Sequence, residues 1–291
     1  MTSPQQAQVL VGLIGAGIGS SHSPLLHQQE ADRQGIRLLY TIIDSDAYGL
    51  TADDLPGLLR WARTLGYRGL NVTYPFKQQI VRYLDRLSAE AKTLGAVNTV
   101  VFADGIACGH NTDAVGFARN FDRNFPDAPR NTVVQLGAGG AGSAVAHAML
   151  TLGARHLTVV DLDTAKAHRL AGLLATEFGT GRIAVGAPAH LSTLLAGADG
   201  LINTTPIGMA HHPGSPVAPG DLRSDMWVAD IVYRPADTAL LQAARAAGAA
   251  TLPGAGMSVY QAVAAFEHFT GVPADAETML ADSAELLRRG R

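Results

Sequence analysis

Short apolar runs alternate with longer segments of helical periodicity along the chain. In the first 113 residues the apolar runs predict strands at 9–14, 38–43, 69–73 and 96–102, the last followed by a turn at 103–105. The helical periodicity predicts helices at 23–34, 55–65 and 78–87. Pro24 in the first turn and Gly35 just past the end delimit the first helix. Strands that alternate with helices are typical of an α/β fold with a mostly parallel sheet.

The same alternation starts again after a proline-containing segment at 124–131, which we interpret as a boundary loop. The predicted strands are 132–136, 157–160, 200–203, 227–231 and 250–252, and the predicted helices are one from near Ser143, 164–178 and 238–247. Two final helices, 258–270 and 276–289, are apolar enough to need a partner and are expected to pack back on the first domain. We therefore predict two α/β domains, residues 1–113 plus 255–291 and residues 114–254.

The composition is that of a folded protein with enough apolar residues for a sizeable core. Of the 291 residues, 47% are hydrophobic and 16% are charged, which excludes a disordered tail. The formal net charge is −3, and this balance gives no reason to expect a nucleic-acid partner, which usually needs a clustered basic face.

The lack of targeting signals favours a cytoplasmic protein. Residues 1–8 are polar and do not have the basic-then-apolar layout of a signal peptide. No apolar run reaches the roughly 20 residues that a bilayer span needs, so no membrane is expected as a partner. Cys108 is the single cysteine, a usage that suits a reducing compartment.

Two predicted strand–turn–helix units carry glycine clusters, and only the second fits the pattern G-x-G-x-x-G, with Gly137, Gly139 and Gly142. In such a loop the first glycine makes the tight turn and the second lets backbone N–H groups approach a pyrophosphate. The third glycine allows close packing of helix on strand, while the helix N-terminus faces the anion. The spacing therefore indicates a dinucleotide site.

An acid at the end of the next strand strengthens this interpretation. Asp161 lies close to the position, about 20 residues into the unit, where dinucleotide folds keep the group that binds the adenosine ribose hydroxyls. A carboxylate there repels the 2′-phosphate of NADP, and no arginine stands nearby to offset it. We therefore favour NAD over NADP as the cofactor.

The first glycine cluster, residues 15–19, leads instead into a serine-containing turn. Ser21 and Ser23 lie at the start of the first predicted helix, where hydroxyls and helix N–H groups can bind a carboxylate together. The alternative is that Ser23 only caps the helix whose first turn holds Pro24. The residues alone leave both interpretations open.

Polar side chains also cluster at strand ends elsewhere in the first domain. The segment 71–77, Asn-Val-Thr-Tyr-Pro-Phe-Lys, comes at a strand end, as do Asn98 and Asp113. Open α/β sheets bind their ligands at the carboxyl ends of strands. Lys77 is therefore a candidate for proton transfer, although a lysine at a strand end can also be a solvated surface charge.

Taken together, these motifs resemble the shikimate/quinate dehydrogenase family over essentially the whole chain. The segments that carry the resemblance are 21–24 (SHSP), 71–77 (NVTYPFK), 95–99 (GAVNT), 111–113 (NTD), 137–141 (GAGGA), 203–209 (NTTPIGM), 232–235 (VYRP) and 254–261 (GAGMSVYQ). The resemblance implies a substrate-binding domain at 1–113 plus 255–291 and a Rossmann-type NAD(P)-binding domain at 114–254.

The resemblance also implies a role for each matching position. The catalytic pair would be Lys77 and Asp113. The substrate would be bound by Ser21 and Ser23 at its carboxylate and by Thr73, Asn98, Tyr233 and Gln261 at its ring hydroxyls. The dinucleotide would be held by Gly137, Ala138, Gly139, Gly140, Ala141 and Asp161, with Thr204, Thr205, Pro206, Ile231 and Gly254 on the nicotinamide side.

The chemistry of hydride transfer agrees with the implied pair. Reduction of a ring ketone develops alkoxide character on the oxygen, and a cationic lysine beside that oxygen stabilises the charge and can donate the proton. We expect a small-molecule partner of the shikimate or quinate class and a monomer or homodimer. No metal site is expected, because the neighbouring histidines at 211 and 212 lack further ligands at suitable spacing.

Three alternatives stay open. The glycine-rich segment before Ser21 is similar to the NAD-preferring quinate/shikimate branch, whereas an arginine, Arg234, replaces the asparagine usual in the Val-Tyr-Asn-Pro motif and could change the charge near the cofactor. The enzyme could thus be an NADP-dependent shikimate dehydrogenase of aromatic amino-acid biosynthesis. It could also act on an aminated ring analogue, or be a non-catalytic cofactor or metabolite sensor on the same fold.

Overall fold

The computed structural model describes residues 8–288, which fall into two compact units. The first unit holds the chain up to Thr112 and again from Val259 onward, and the second is Asp113–Ser258. Residues 1–7 and 289–291 lie outside the described part, and with them most of the polar N-terminal segment and the last residue of the final predicted helix. Within residues 8–288, no helix has the length and apolar character needed to cross a bilayer.

The first unit contains a mixed six-stranded sheet in the order β2-β1-β3-β5-β6-β4. Its strands are β1 (Gln8–Gly15), β2 (Arg37–Asp44), β3 (Tyr67–Val72), β4 (Arg86–Leu87), β5 (Thr99–Ala103) and β6 (Ile106–His110). β1 pairs in parallel with β2 and β3, and β4 in parallel with β6. β5 is antiparallel to both of its neighbours.

The helices of the first unit lie between these strands and at the chain end. They are α1 (Ser23–Arg33), α2 (Ser45–Tyr48), α3 (Leu55–Thr64) and α4 (Ala89–Leu94). From the chain end come most of α10 (Ala255–Thr270) and α11 (Ala276–Arg288). Phe266 and Phe269 of α10 pack in one core cluster with Val11 of β1, and Met279 of α11 packs with Leu26 of α1. The terminal helices thus pack on the first unit, as predicted.

The predicted helix at 78–87 is wrong. Residues Gln79–Tyr83 form a 3₁₀ turn, and the chain then becomes extended at Leu84 and enters strand β4. The N–H of Asp85 donates to the carbonyl of Ala107, so pairing with β6 takes over the segment that helical periodicity had favoured. Tertiary pairing here overrides a local pattern too short to distinguish helix from strand.

The second unit contains a six-stranded sheet that is parallel throughout, in the order β12-β11-β10-β7-β8-β9. The strands are β7 (Thr132–Leu136), β8 (His156–Val160), β9 (Ile183–Gly186), β10 (Gly200–Asn203), β11 (Trp227–Asp230) and β12 (Ala250–Pro253). The helices are α5 (Thr112–Asn124), α6 (Gly140–Thr151), α7 (Thr164–Phe178), α8 (Leu191–Ala196) and α9 (Ala239–Ala246). The strand order reverses between β7 and β10, which is where doubly wound sheets bind their ligands.

Gly69 of β3 lies in the tightest packing of the first unit. A Cβ atom built there would be 2.3 Å from the carbonyl oxygen of Val100 and 2.4 Å from Cε1 of Phe269. Neither a strand carbonyl nor a fully buried ring can move away easily. Glycine at this position therefore lets α10 approach the sheet.

We predict that Gly69→Ala lowers the free energy of unfolding by about 3 kcal/mol, the upper range for overpacking a core. Gly57→Ala is the matched control, because a Cβ at Gly57 in helix α3 meets no atom within 4 Å. That control is expected to stabilise the protein by about 0.5–1 kcal/mol. Urea unfolding of both variants measures the difference, and equal midpoints would contradict the packing argument.

His27 is a second special position in this core. Its ring is fully buried against Tyr40, Phe266 and Phe269, and neither ring nitrogen has a hydrogen-bond partner among the described residues. Burial lowers the pKa of His27 to about 3. The folded protein therefore holds this histidine neutral over a pH range in which the unfolded chain binds a proton.

His27 makes the folded protein less stable at low pH. Below about pH 6.5 the unfolded state takes up a proton at His27 that the folded state refuses, so stability falls as the pH falls toward 3. Between about pH 6 and pH 4.5, we expect the free energy of unfolding of wild type to fall by roughly 2 kcal/mol more than that of His27→Leu. His168→Leu, at an exposed position of α7, is the control. If the free energies of unfolding of wild type and His27→Leu change in parallel with pH, His27 is not a cause of the loss of stability.

Candidate active site

The segment that ends in Lys77 is fixed by its backbone on both sides. The N–H of Thr73 donates to the carbonyl of Ile14 (2.9 Å), and the carbonyl of Tyr74 accepts from Ala16 (2.9 Å). On the other side, the carbonyl of Lys77 accepts from the N–H of Val97 (2.8 Å). The lysine side chain is half-buried at the carboxyl edge of the first sheet.

The first glycine of the N-terminal cluster allows this close approach. A Cβ at Gly15 would lie 2.3 Å from Cγ2 of Thr73 and 2.9 Å from the carbonyl oxygen of Tyr74. Gly15 therefore serves packing between two loops of the first unit. Through it, the serine-containing loop and the segment that carries Thr73 lie side by side.

Ser21 and Ser23 come together in that loop. The hydroxyl of Ser21 donates to Ser23 Oγ (3.2 Å), and Ser21 Oγ accepts from the N–H of Ser23 (3.2 Å). His22, not Ser23, is the N-cap of α1, and no side chain caps the helix. The interpretation of Ser23 as a simple helix cap is therefore wrong, and two half-buried hydroxyls lie at the start of the helix.

Asp44, at the end of β2, holds the glycine cluster and was not anticipated from the sequence. Its carboxylate accepts hydrogen bonds from the N–H groups of Gly17 (3.0 Å) and Ile18 (2.9 Å). Desolvation opposes ionisation, but the backbone donors, which include Asp46 and Gly19, outweigh it and hold the pKa of Asp44 below its usual value. The N–H groups of this loop are thus occupied by the protein's own carboxylate.

Asn98 fixes the start of helix α5. Its Oδ1 accepts from the N–H of Thr112 (2.7 Å), and its Nδ2 donates to Thr112 Oγ1 (2.9 Å). Asp113 follows in the first turn of α5 and is buried. The Asn98–Thr112 pair therefore fixes the residue that directly precedes the candidate catalytic acid in the chain.

A buried polar chain beneath these residues also escaped the sequence analysis. The hydroxyl of Tyr40 donates to Asn71 Oδ1 (2.8 Å), Asn71 Nδ2 donates to Thr99 Oγ1 (3.1 Å), and Thr99 Oγ1 donates to Asn98 Oδ1 (3.2 Å). Burial raises the pKa of Tyr40 against a hydrogen bond from Ser23, so the phenol stays protonated and can donate. The one available signal was Asn71, a polar residue inside an apolar run.

In the second unit, α6 begins earlier than predicted, at Gly140 with Gly139 as N-cap, because the glycine loop itself forms the first turn. A Cβ at Gly137 would be 2.7 Å from Thr204 Oγ1, and one at Gly142 would be 2.5 Å from the carbonyl oxygen of Gly137. A Cβ at Gly139 or Gly140 would meet no atom within 4 Å. The loop is therefore closed on its inner side and open beside the helix start.

Asp161 is tied to this loop. Its Oδ2 accepts from the N–H of Ala138 (2.7 Å) and its Oδ1 from the N–H of Asp163 (2.8 Å). The next side chain, Leu162, is 89% exposed. Lys166, the nearest base in the sequence, lies 3.8 Å from Asp163. The surroundings of Asp161 are thus acidic, with an exposed aliphatic neighbour.

The loop after β10 depends on two buried residues at strand ends, Asn203 and Asp230. Asn203 Nδ2 donates to Asp230 Oδ1 (2.9 Å), and its Oδ1 accepts from the N–H (3.0 Å) and hydroxyl (2.7 Å) of Thr205. Thr238 Oγ1 donates to Asp230 Oδ2 (2.7 Å). Burial raises the pKa of Asp230 despite these donors. Sequence reasoning gave Asp230 no role.

The remaining candidates differ in how firmly they are held. A Cβ at Gly254 would be 2.3 Å from the carbonyl oxygen of Ile231, so these two backbones touch. Pro206 and Tyr233 are exposed, and Gln261 is half-buried on α10. No group of three or more histidine, cysteine, aspartate or glutamate side chains that could hold a metal occurs among residues 8–288.

Two family models match parts of the chain. The model described as the shikimate dehydrogenase substrate binding domain matches residues 13–100. The model described as the shikimate 5'-dehydrogenase C-terminal domain matches residues 254–281.

Known proteins match over nearly the whole length. A shikimate dehydrogenase (NADP(+)) of Streptomyces avermitilis is 56% identical over 281 residues, 97% of each chain. A quinate/shikimate dehydrogenase (NAD(+)) of Corynebacterium glutamicum is 45% identical over 273 residues, 93% of this chain and 96% of the relative. The structure of quinate dehydrogenase from Corynebacterium glutamicum in complex with NAD aligns with a TM-score of 0.91 at 43% identity, covering 96% and 99%. The chain therefore belongs to the shikimate dehydrogenase family of NAD(P)-dependent oxidoreductases.

Proposed function

We propose that this protein oxidises and reduces a ring hydroxyl of shikimate or quinate with NAD(P), with Lys77 and Asp113 as the catalytic pair. The observation that carries the proposal is the convergence of four candidate segments at one edge of the first sheet. The serine loop is bonded to the segment 73–77, that segment to residue 97, and Asn98 to Thr112. The names of the relatives supply the substrate class.

The residues of the second unit fit a dinucleotide. The open side of the loop lies at the N-terminus of α6, where backbone N–H groups without intrahelical acceptors face outward. We assign Gly137–Ala141 to the pyrophosphate and Asp161 to the adenosine ribose. NAD(P) bound there supplies the hydride chemistry.

Lys77 handles the proton in this proposal. As the ring ketone is reduced, negative charge grows on its oxygen, and the ammonium of Lys77 stabilises that charge and donates a proton to the oxygen. In the oxidative direction the neutral amine accepts the proton from the substrate hydroxyl. Asp113 orients the amine and hydrogen-bonds the same hydroxyl.

The serine pair and Asn98 orient the substrate. The hydroxyls of Ser21 and Ser23 at the start of α1 can donate to a carboxylate next to the positive end of the helix. Thr73, Asn98, Tyr233 and Gln261 are assigned to the ring hydroxyls. Because a ring that lacks a hydroxyl would leave one of these polar groups unpaired, such a ring is discriminated against.

For the cofactor we infer a preference for NAD. The Asp161 carboxylate and its acidic neighbour Asp163 disfavour a 2′-phosphate. The alternative, an NADP-dependent shikimate dehydrogenase, is favoured by the identity to the relative from Streptomyces avermitilis. Initial rates with shikimate and quinate, each with NAD and NADP, separate the two. Activity with none of the four pairs would point to an aminated ring or to a sensor.

We predict that Lys77→Ala lowers kcat/KM by about 10³-fold, because the variant loses proton transfer and charge stabilisation at the reacting oxygen. The dissociation constant for NADH, measured by fluorescence titration, should stay within about twofold of wild type. Lys92→Ala, at an exposed position of α4, is the matched control and should keep wild-type rates. Near-normal turnover by Lys77→Ala would remove the lysine from the mechanism.

We predict that Asp161→Asn combined with Leu162→Arg shifts the kcat/KM ratio toward NADP by about 100-fold, because a repelling charge is lost and a guanidinium gained. Asparagine keeps an acceptor for the N–H of Ala138. Leu173→Arg adds the same charge on α7 and should leave the ratio unchanged. A wild type that already prefers NADP would contradict the assignment of Asp161.

A further inference from the structure

Gln135 is a polar side chain in the middle of the second sheet. It lies on β7 between apolar neighbours and is completely buried. β7 is flanked by β8 and β10, so Gln135 lies in the interior of the sheet and not at its edge. Burying an amide costs free energy unless hydrogen bonds replace water, so its partners define its purpose.

Both protons of the Gln135 amide are used on the glycine loop. Nε2 donates to the carbonyl of Gly137 (2.9 Å) and to the carbonyl of Gly142 (2.8 Å). Both partners are acceptors only, so the amide must present its nitrogen and not its oxygen to them. One side chain thus joins the first and third glycines of the G-x-G-x-x-G loop from beneath.

These bonds fix two peptide planes. In a trans peptide the carbonyl and the N–H point in opposite directions, so holding one end orients the other. The peptide after Gly137 is held at its carbonyl by Gln135 and by Thr204 Oγ1 (3.0 Å), and at its N–H by Asp161. The peptide after Gly142 is held at its carbonyl by Gln135 and at its N–H by the carbonyl of Gly139 (2.8 Å).

The peptides between these two planes carry the N–H groups at the open side of the loop. The N–H groups of residues 139–141 lie at the helix start between the two clamped peptides, where a Cβ at Gly139 or Gly140 would meet no atom within 4 Å. A loop held in its binding geometry before the ligand arrives loses less entropy on binding.

We infer that Gln135 is a positioning residue for the dinucleotide, which tightens NAD(P) binding by holding the glycine loop and does not touch the cofactor. The inference rests on the proposed dinucleotide site and is independent of the ring substrate. We expect its net contribution to folding to be small, because the cost of burying Gln135 Oε1, which has no hydrogen-bond partner among the described residues, offsets the two bonds that Nε2 donates. Gly137 also keeps the Thr204 hydroxyl, and Gly142 keeps its place in α6, when the amide is removed.

The test compares Gln135→Leu and Gln135→Met with wild type, since both replacements fill the site without a donor. Fluorescence titration with NADH and with NADPH measures affinity without turnover. We expect both dissociation constants to rise by about tenfold and by the same factor, because the pyrophosphate is common to both cofactors. kcat at saturating cofactor, KM for the ring acid and the melting temperature should stay near wild-type values.

Thr158→Val is the matched control, a polar-to-apolar exchange of similar shape on the neighbouring strand β8. It should leave both dissociation constants unchanged. Unchanged affinities in the Gln135 variants overturn the inference, as does a fall in melting temperature accompanied by equal losses in every kinetic constant. A wild type that binds neither cofactor overturns it as well. If wild type binds NADH but oxidises neither shikimate nor quinate, the proposed substrate fails and the Gln135 comparison still decides.

Discussion

Both units depend on the same interaction: backbone N–H groups of the glycine loop after the first strand donate hydrogen bonds to a carboxylate at the end of the second strand. Asp44 makes it to Gly17 and Ile18, and Asp161 makes it to Ala138. Asp44 occupies the consecutive N–H groups of Gly17 and Ile18, so these backbone groups are not available to a ligand. Asp161 takes one N–H group and leaves the helix start open. The two loops therefore differ in how many of their N–H groups donate to the carboxylate, and in how many stay available to a ligand.

Much of the architecture could be predicted because it follows from local patterns. In the second unit, β7, α7 and β10 begin and end where the apolar runs and helical periodicity place them. The hairpin at the end of the first sheet follows from Asp104 and Gly105, both with positive φ. The prediction of a helix at 78–87 is wrong because pairing with β6 determines the structure of the end of this segment, and the local sequence pattern does not show that pairing. Short elements such as β9 and α8, with 4 and 6 residues, are too short to show a clear period in the sequence.

The candidate catalytic and binding residues could be proposed from motifs, but the buried residues that hydrogen-bond to their segments could not. Tyr40, Asn71 and Asp230 are buried polar groups with partners 27 to 31 residues away, whereas Gln135 bonds to backbone carbonyls only two and seven residues further on. A single sequence shows only that a polar residue interrupts an apolar run, and many such residues are simply solvent-facing. Their importance comes from the requirement that a buried polar group be hydrogen-bonded, and that requirement can be checked only in three dimensions.

Leu162 shows how differently two neighbouring positions are constrained. Asp161 is bonded into the loop, whereas Leu162 is almost fully exposed and contributes nothing to a core. Substitutions at exposed positions of this kind change folding stability little. If Asp161 faces the ribose as proposed, selection can alter the neighbouring Leu162 without endangering the fold, while the hydrogen-bonded residues Asn71 and Asn98 change only at a structural cost. The preference for one electron carrier can then diverge more readily than the identity of the carbon substrate.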